Sequence, residues 1–170
     1  DTPHNIYNRP RNLFVANFIG SPTINFLNGV YRDGGFVLED FHHGTVAISR
    51  AGKGRLDSVL KQEKVVVGIR PEHLKLVDDR DAAAGTARGG EARGRESAGT
   101  GLKAAVASFE PLGNKTIVYL HPDANRGLIL KSAMPSGYKP KIGEVKHLRF
   151  TERSLYLFDR ESTELVMRFE

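Results

Sequence analysis

The pattern of this sequence changes sharply at residues 20–22, and this change constrains the fold most. Before it, Asn12 is placed to cap a helix that runs to Ile19, and apolar residues cover most of that helix's circumference. Gly20 and Pro22 end the helix, and a series of short β-type segments follows. A helix that is apolar nearly all round needs packing partners on more than one side. We therefore expect one side to contact the β-rich part and another to contact a body outside this chain.

A shorter helix is predicted ahead of it. Thr2 is a good N-cap and Pro3 suits the first helical position, so a helical turn over residues 4–7 should end before Pro10. Together the two helices make residues 1–22 a helical linker ahead of a β domain over residues 23–170.

From residue 23 onward the sequence predicts a mainly β fold. Short runs rich in β-branched and aromatic residues alternate with turn residues, and Asp33-Gly34-Gly35 is a good hairpin connection. A short helix is expected over residues 56–61. Many short strands at this spacing favour small barrels or a sandwich over a parallel sheet. The predicted strands cover residues 24–31, 35–39, 44–48, 64–70, 102–109, 115–121, 128–131, 144–150, 155–159 and 165–169.

Residues 78–101 interrupt the β pattern. These 24 residues contain six Gly, six Ala and nine charged residues, with no apolar side chain larger than Ala. Such a segment buries too little surface to offset the entropy lost on ordering, so it is predicted to be a disordered loop. Because the strands on both sides are short, we expect an insertion between strands that still pack together.

Composition excludes several classes of protein. The 170 residues include no Cys, which rules out disulfide frameworks and thiolate metal sites and fits a reducing compartment. No apolar run approaches the roughly 18 residues of a membrane-spanning helix, and the polar N-terminus lacks the features of a signal peptide. The net charge of +5 is modest, and no dense cluster of Lys and Arg is visible. Because the first residue is Asp1 and not Met, we expect a fragment or a processed chain.

The sequence predicts no catalytic, cofactor-binding or metal-binding residues. The Gly-Lys-Gly at residues 52–54 has Ala47 where a P-loop requires its first glycine, so no phosphate-binding loop is expected there. The adjacent His42 and His43 would point to opposite faces of a hairpin, which makes them poor ligands for one metal ion. This chain is therefore not expected to be an enzyme by itself.

Two strings at strand ends stand out. Arg70-Pro71-Glu72-His73 follows a β-type run, and Pro71 ends that strand because it lacks an N–H donor. Its charged residues form either a polar knot within the chain or a surface that faces a partner chain. The string at residues 109–114 ends one strand and opens the next. Leu112 at this turn is either a contact residue or a residue that packs on its own barrel.

Five segments share residue types and order with one protein family. They are Thr2-Pro3 with Ile6-Tyr7 and Arg9-Pro10, the junction at residues 12–25, Gly68–His73, Glu110–Gly113 and Leu155–Asp159. In this order they resemble the C-terminal regulatory part of the ATP-binding subunit of sugar-type ABC importers, the class that imports maltose, glycerol-3-phosphate or trehalose. The resemblance covers nearly the whole chain except residues 78–101.

The resemblance implies interleaved five-stranded barrels of the oligonucleotide/oligosaccharide-binding (OB) type, TOBE or MOP-like, that follow a nucleotide-binding domain missing from this chain. The parent subunit would be a transport ATPase that uses ATP and Mg²⁺ and drives permease subunits from the cytoplasmic face of the cell membrane. Domains of this kind are expected to pair as a homodimer and to bind a cytoplasmic regulator protein. No nucleic acid is expected as a partner.

The resemblance also assigns roles to two groups of residues. The helix over residues 12–19 would couple the missing ATPase domain to the barrels, and a chain without that domain is expected to self-associate through its barrel faces or through Phe14 and Phe18. Lys115 reverses the charge that the family often carries at its turn. The docking and hinge candidates are Phe14, Val15, Phe18, Ile19, Gly20, Ser21 and Pro22, and the candidates for regulatory or dimer contacts are Arg70, Pro71, Glu72, His73, Glu110, Leu112 and Lys115.

A different functional class stays open at this point. Barrels of the same type build the oxyanion-binding domains of molybdate and sulfate importers, so a small oxyanion-binding domain is the alternative function. A nucleic-acid-binding barrel would need aromatic residues stacked in a basic groove. The aromatic residues here instead occupy strand positions that suit a core: Phe36, Phe41, Phe109, Tyr119 and Phe150.

Overall fold

The computed structural model describes residues 2–82 and 98–169. Its helices are α1 (Pro3–Asn8), α2 (Leu13–Phe18) and α3 (Arg50–Val59), and 3₁₀ turns lie at Pro71–His73 and Glu152–Ser154. None of the described helices has the length and hydropathy needed to cross a membrane. The strands are β1 (Asn25–Arg32), β2 (Gly35–Leu38), β3 (Thr45–Ala47), β4 (Lys64–Ile69), β5 (Lys75–Val77), β6 (Gly99–Thr100), β7 (Lys103–Pro111), β8 (Lys115–Pro122), β9 (Leu130–Pro135), β10 (Val145–Arg149), β11 (Leu155–Asp159) and β12 (Leu165–Arg168).

The strands form two antiparallel sheets. The larger has seven strands in the order β12-β11-β4-β1-β2-β3-β6, and the smaller has five in the order β5-β10-β7-β8-β9. The predicted hairpin joins β1 to β2, with Asp33 and Gly34 at φ values of 51° and 78°. Such left-handed backbone is typical of Asp and Gly in tight hairpin turns.

Both faces of β4 are covered, which explains its unbroken apolar sequence. Residues 65–69 are all buried. Val65 and Val67 belong to the main core, whereas Val66 on the opposite face packs in a second cluster with Ala16 of α2. A strand that is covered on both faces reads as a continuous apolar run rather than an alternating one.

The two sheets are interleaved along the chain. The strands of the smaller sheet lie in sequence between β4 and β11, which are neighbours in the larger sheet, and β6 returns to the larger sheet among them. The side-chain amide of Asn25 joins the sheets, because it donates to the Lys131 carbonyl at 2.8 Å and accepts from the Lys131 N–H at 2.7 Å. The predicted mainly β, interleaved fold behind a short helical segment is confirmed.

The smaller sheet curls back on itself. Its two end strands, β5 and β9, lie next to each other. The buried hydroxyl of Ser132 on β9 donates a hydrogen bond to the Leu74 carbonyl, just before β5. Because this contact links the two end strands, it curls the sheet into the shape of a small barrel, which is the fold that the short strands predict.

Helix α3 begins at Arg50, well before the predicted start at residue 56. Gly52 and Gly54 disfavour a helix in the sequence. The N-cap compensates: the Ser49 hydroxyl accepts from the Gly52 N–H at 3.1 Å, and the Glu152 carboxylate accepts from the Ser49 N–H and hydroxyl at 3.0 and 2.9 Å. A distant carboxylate at a helix N-terminus is not visible in the local sequence.

Of the predicted loop over residues 78–101, only the two ends lie among the described residues, and both contact the β part. Asp78 forms an ion pair with Lys146, and the Ala98 N–H donates to the Phe150 carbonyl at 2.9 Å. A Cβ on Gly99, where β6 joins the larger sheet, would lie 2.4 Å from the end of the Leu102 side chain and 3.0 Å from the Phe150 ring, so a larger residue there would displace buried side chains. Residues 83–97 of the predicted loop lie outside the described residues.

Candidate functional site

Residues 2–22, called the arm below, contact the larger sheet through one face of α2. Asn12 caps this helix and accepts a hydrogen bond from the Val15 N–H at 2.9 Å. Ala16, on the inner face, has 0% of its surface exposed. The cluster around it consists of Ile24, Val66, Tyr156 and Phe158, with Leu13, Phe26 and Leu165 packed beside them.

The main chain of the arm also pairs with the segment that leads into β12. The Leu13 N–H donates to the Thr163 carbonyl at 3.0 Å, and the Leu165 N–H donates to the Arg11 carbonyl at 3.0 Å. Since main-chain hydrogen bonds and a buried side chain act together, the inner face of α2 is fixed to the β part.

The outer face of α2 carries two large aromatic side chains. Phe14 and Phe18 are 75% and 78% exposed. Their rings stack on each other, with centroids 6.1 Å apart and an angle of 19° between the ring planes. Stacking leaves most of both rings in water, so this face is an apolar surface with no partner among the described residues of the chain.

Arg70 joins the two helices of the arm to the end of β4. Its side chain is buried, with 1% exposed, and it donates from Nη2 to the Tyr7 carbonyl at 2.6 Å and from Nη1 to the Ile19 carbonyl at 3.0 Å. These carbonyls lie at the C-terminal ends of α1 and α2, where main-chain oxygens lack helical partners and attract positive charge. The guanidinium centre also lies 3.6 Å from the Tyr7 ring centroid and 5.5 Å from that of Tyr156. We call this contact the joint.

A tyrosine–carboxylate pair closes the joint on its outer side. The Tyr7 hydroxyl donates to the Glu72 carboxylate. Burial and this hydrogen bond together raise the pKa of Tyr7 to about 12. Desolvation by itself would raise the pKa of Glu72, but the bond from Tyr7 and the nearby positive charges hold it below its ordinary value. Glu72 is therefore ionised at neutral pH, and Tyr7 is neutral.

Gly20 lets the chain leave α2 beside the joint. Its φ of 118° is accessible to glycine and strained for other residues, and a Cβ there would lie 3.2 Å from Arg70 Nη1. Ser21 is exposed, and the peptide bond between it and Pro22 is cis. The other docking and hinge candidates, Val15, Ile19 and Pro22, are half-buried.

The string at residues 70–73 therefore divides between the interior and the surface. Arg70 and Pro71 are buried, whereas Glu72 and His73 are exposed. Arg70 forms the polar knot that the sequence allows, with its guanidinium bound within the chain. Contact with a regulator or a second copy stays a prediction for Glu72 and His73, the accessible part of the string.

The second predicted contact group lies on the smaller sheet, at the hairpin between β7 and β8. Leu112 is 46% exposed at the tip, and its N–H donates to the Lys115 carbonyl at 2.8 Å. Glu110 accepts a hydrogen bond from the Tyr119 hydroxyl at 3.1 Å. The structure does not bring this hairpin onto the same sheet as the joint. Its contact role stays a prediction.

The sequence does not reveal the partners that bury Arg70. Tyr156 lies in a strand that is distant along the chain, and the Ile19 carbonyl is a main-chain atom, which no residue pattern marks. Two signals in the sequence point towards the joint. One is a basic residue directly after a strand, and the other is the end of a helix at Gly20. In the described ranges, no group of three or more His, Cys, Asp or Glu side chains is arranged to hold a metal ion.

Comparison with known families identifies the family of this chain. Residues 20–74 match the family described as the MalK OB fold domain, and residues 67–158, more than half of the chain, match the TOBE domain. The chain belongs to the TOBE domain family. The two matched ranges overlap at residues 67–74, which contain Arg70 of the joint.

Curated relatives of this TOBE domain are named as ATP-binding proteins of transport or uptake systems. The chain is 30% identical over 159 residues to the sulfoquinovosyl glycerol transport ATP-binding protein SmoE of Agrobacterium fabrum, covering 93% of this chain and 37% of that protein. It is 37% identical over 120 residues to the diacetylchitobiose uptake system ATP-binding protein MsiK of Streptomyces coelicolor, covering 70% of the chain and 29% of the relative. It thus spans about a third of their length, and the predicted family resemblance is confirmed.

A solved structure shows the same fold. The molybdate-binding protein ModG, in a form with molybdate bound, superposes with a TM-score of 0.53 at 15% identity, over 78% of this chain and 94% of ModG. With the two family matches, this confirms the OB-type, TOBE or MOP-like fold class. At this level of identity the likeness concerns the fold alone.

Proposed function

We propose that this TOBE domain is the regulatory and dimerisation domain of the ATP-hydrolysing subunit of an ABC importer for sugars or related solutes. The parent subunit would bind ATP and Mg²⁺ in a separate domain and would drive permease subunits at the inner face of the cell membrane. The relatives support this proposal, because they are named as ATP-binding proteins for sulfoquinovosyl glycerol transport and diacetylchitobiose uptake, and this chain corresponds to only part of each.

The difference between the two faces of α2 carries the proposal. The inner face, with Ala16, is fixed to the larger sheet, while the outer face presents Phe14 and Phe18 to solvent. Two adjacent, largely exposed phenylalanines on a short helix are typical of a surface that another body covers. An ATPase domain docked there would contact the β part only through a short, well-anchored helix.

The joint would then transmit motion between the two bodies. Because Arg70 binds the ends of both arm helices, the arm cannot turn on the sheet without losing buried hydrogen bonds. A regulator that prefers one arrangement of the β parts would therefore change the arrangement of the ATPase domains. Coupling free energies in allosteric proteins are typically about 1–3 kcal/mol, which is enough to change an ATPase rate severalfold.

The test is a chimera in which this chain replaces the matched part of MsiK. If the outer face docks on the ATPase domain, the chimera should hydrolyse ATP as a dimer. The double substitution Phe14→Ser and Phe18→Ser should lower its ATPase rate at least threefold without unfolding the β part.

Val37→Ser is the matched control, since Val37 is 45% exposed on β2, outside the arm. It should leave the ATPase rate of the chimera unchanged. Equal rates for the Phe14/Phe18 double variant and for Val37→Ser would overturn the docking proposal.

A further inference from the structure

The turn between β11 and β12, residues 159–164, holds a threonine in left-handed backbone. Thr163 has a φ of 63°, and among the described residues the only other non-glycine residue with a positive φ is Asp33, at 51°. Aspartate adopts this region readily in tight turns, whereas a β-branched side chain crowds the backbone there. The turn therefore keeps Thr163 in a conformation that this residue type disfavours.

The strained residue holds one end of the arm. The Thr163 carbonyl accepts the Leu13 N–H at 3.0 Å, and this N–H is the first of α2, where a helix supplies no acceptor of its own. Strand β12 adds a second contact, because the Leu165 N–H donates to the Arg11 carbonyl at 3.0 Å. The N-terminal end of α2 thus depends on the conformation of this turn, while the joint holds its C-terminal end.

A buried carboxylate sets the shape of the turn. Asp159 is 9% exposed, and its Oδ1 accepts the N–H groups of Glu161 at 2.9 Å and of Ser162 at 2.8 Å. Its carbonyl accepts the Thr163 N–H at 2.9 Å. Because an aspartate that binds the N–H groups after it folds the chain back on itself, these bonds hold Thr163 in place.

A glutamine outside the turn holds that carboxylate. Gln62 lies in the link between α3 and β4, and its Nε2 donates to both carboxylate oxygens of Asp159, at 2.7 and 2.6 Å. Hydrogen bonds to an ionised group are stronger than those between neutral groups. A continuous series of hydrogen bonds therefore runs from the end of α3 through Asp159 and Thr163 to the start of α2.

We propose that the turn at residues 159–164 is a two-state latch for the arm and that Gln62 controls it. In the closed state Thr163 is left-handed and its carbonyl holds α2. In the open state Thr163 relaxes to a negative φ, its carbonyl and N–H leave their partners, and the N-terminal end of α2 separates from the β part. The backbone strain lowers the free-energy difference between the two states, so the latch opens without unfolding of the sheets.

The regulatory meaning of the latch rests on the proposed function. A body docked on the outer face of α2 would be coupled to the β part through both ends of the helix when the latch is closed. It would be coupled through the joint alone when the latch is open. A change at Gln62 would then alter the coupling without any contact with α2.

Amide hydrogen exchange of the 170-residue chain, measured residue by residue by NMR, tests the latch. The N–H groups of Leu13, Thr163 and Leu165 should share one protection factor, because the latch opens as a unit. This protection factor should be at least about a hundredfold lower than that of Val67 in the central strand β4, where exchange requires the sheet to open.

Two pairs of variants separate the latch from simple fraying of the arm. Thr163→Asn should raise the shared protection factor about fivefold, because Asn tolerates left-handed backbone. Thr151→Asn, at a φ of −93°, should leave it unchanged. Gln62→Ala should lower it about tenfold, because the carboxylate loses a hydrogen-bond donor. Lys61→Ala removes an exposed side chain from the same link and should leave it unchanged.

Four results would each overturn the proposal. Equal protection of Leu13 and Val67 would mean that the arm separates only when the sheets unfold, and unequal protection of Leu13 and Thr163 would mean that the arm frays without the turn. Equal effects of Thr163→Asn and Thr151→Asn would exclude the strain as its basis. Equal effects of Gln62→Ala and Lys61→Ala would exclude control by Gln62.

These results are independent of the chimera. A latch in the 170-residue chain, together with a Phe14/Phe18 double variant that leaves the ATPase rate unchanged, would contradict the proposed function alone. ATPase rates that follow the proposed function, together with any of the overturning exchange results, would contradict this inference alone.

Discussion

The joint at Arg70 and the hairpin at Leu112 resemble each other in the sequence, since each is a turn directly after a strand. Their environments in the structure differ: Arg70 is 1% exposed and Leu112 is 46% exposed. The difference lies in the acceptors available. Two helix ends supply carbonyls to Arg70, whereas the hairpin tip satisfies its own main chain through the Leu112–Lys115 hydrogen bond.

In these two turns the charged residue, Arg70, is buried and the apolar residue, Leu112, is exposed. A buried cation is stable only where several acceptors converge on it. The C-terminal ends of α1 and α2 provide that convergence only once the arm is folded on the sheet. The joint is therefore a fixed part of the fold, whereas the hairpin tip and the outer face of α2 are exposed to solvent.

The largest expected effect comes from removing the guanidinium of the joint. Arg70→Ala should lower the free energy of unfolding by about 3 kcal/mol, because it leaves the Tyr7 and Ile19 carbonyls without their donor. Lys115→Ala at the hairpin should cost less than about 0.5 kcal/mol. Urea unfolding at pH 7 measures both. Similar losses for the two variants would remove the distinction drawn between joint and hairpin.

The next largest effects on stability are expected for alanine substitutions at two glycines. Gly20→Ala should destabilise the chain by roughly 1–2 kcal/mol, because its φ of 118° strains a side chain and the new methyl group would crowd Arg70. Gly54→Ala, in α3 with no atom near its Cβ position, should instead stabilise by up to about 1 kcal/mol. Thermal unfolding of both variants tests the opposite signs, and a stabilising Gly20→Ala would contradict the geometry of the joint.

The joint and the hairpin each contain a tyrosine–carboxylate pair, and we expect the stabilities that these two pairs contribute to differ in their dependence on pH. Tyr7→Phe should cost roughly 1 kcal/mol at pH 7. Because its pKa is lowered in the folded state, Glu72 adds stability above its ordinary pKa of 4.5, and this is lost as pH falls through the lowered value. Because its pKa is raised, Tyr7 adds stability below pH 10, and this is lost as pH rises towards 12.

The difference between wild type and Tyr7→Phe should therefore be largest between these limits and shrink towards both. Tyr119→Phe removes the corresponding hydroxyl from Glu110 at the hairpin and should have a smaller effect at every pH. Urea unfolding across the pH range gives both curves. A cost of Tyr7→Phe that does not change with pH would exclude the assigned pairing.

The smallest effect on stability, under about 0.5 kcal/mol, is expected for the surface phenylalanines. The Phe14→Ser and Phe18→Ser double variant should nevertheless reduce self-association in sedimentation velocity, because the exposed rings are an apolar contact surface. Leu112→Ser is the comparison. Loss of self-association in Leu112→Ser but not in the phenylalanine variant would place the contact at the hairpin.

Much of the fold follows from local sequence. The β11 segment at Leu155–Asp159 has the predicted bounds, and the apolar run of β4 and the cap at Asn12 are where the pattern indicates. Local signals fail where a distant residue decides the structure. Glu152 holds the Ser49 N-cap of α3, and the side chains of Leu102 and Phe150 crowd the position of Gly99 in β6.

The candidate sites were less predictable than the fold. The phenylalanines of α2 are visible as an excess of apolar residues on a short helix. The burial of Arg70 is not visible in the sequence, because its acceptors are main-chain atoms of the arm.

One face of α2 packs on the β part of this chain, and we propose that a second body covers the other face. Because this chain has no cysteine, the maleimide labelling rate of a single-cysteine Phe18→Cys variant can be measured in the dilute 170-residue chain and in an MsiK chimera that has no other cysteine. We expect at least tenfold slower labelling in the chimera, with no change for Val37→Cys on β2. Equal rates for the Phe18→Cys variant in both contexts would contradict it.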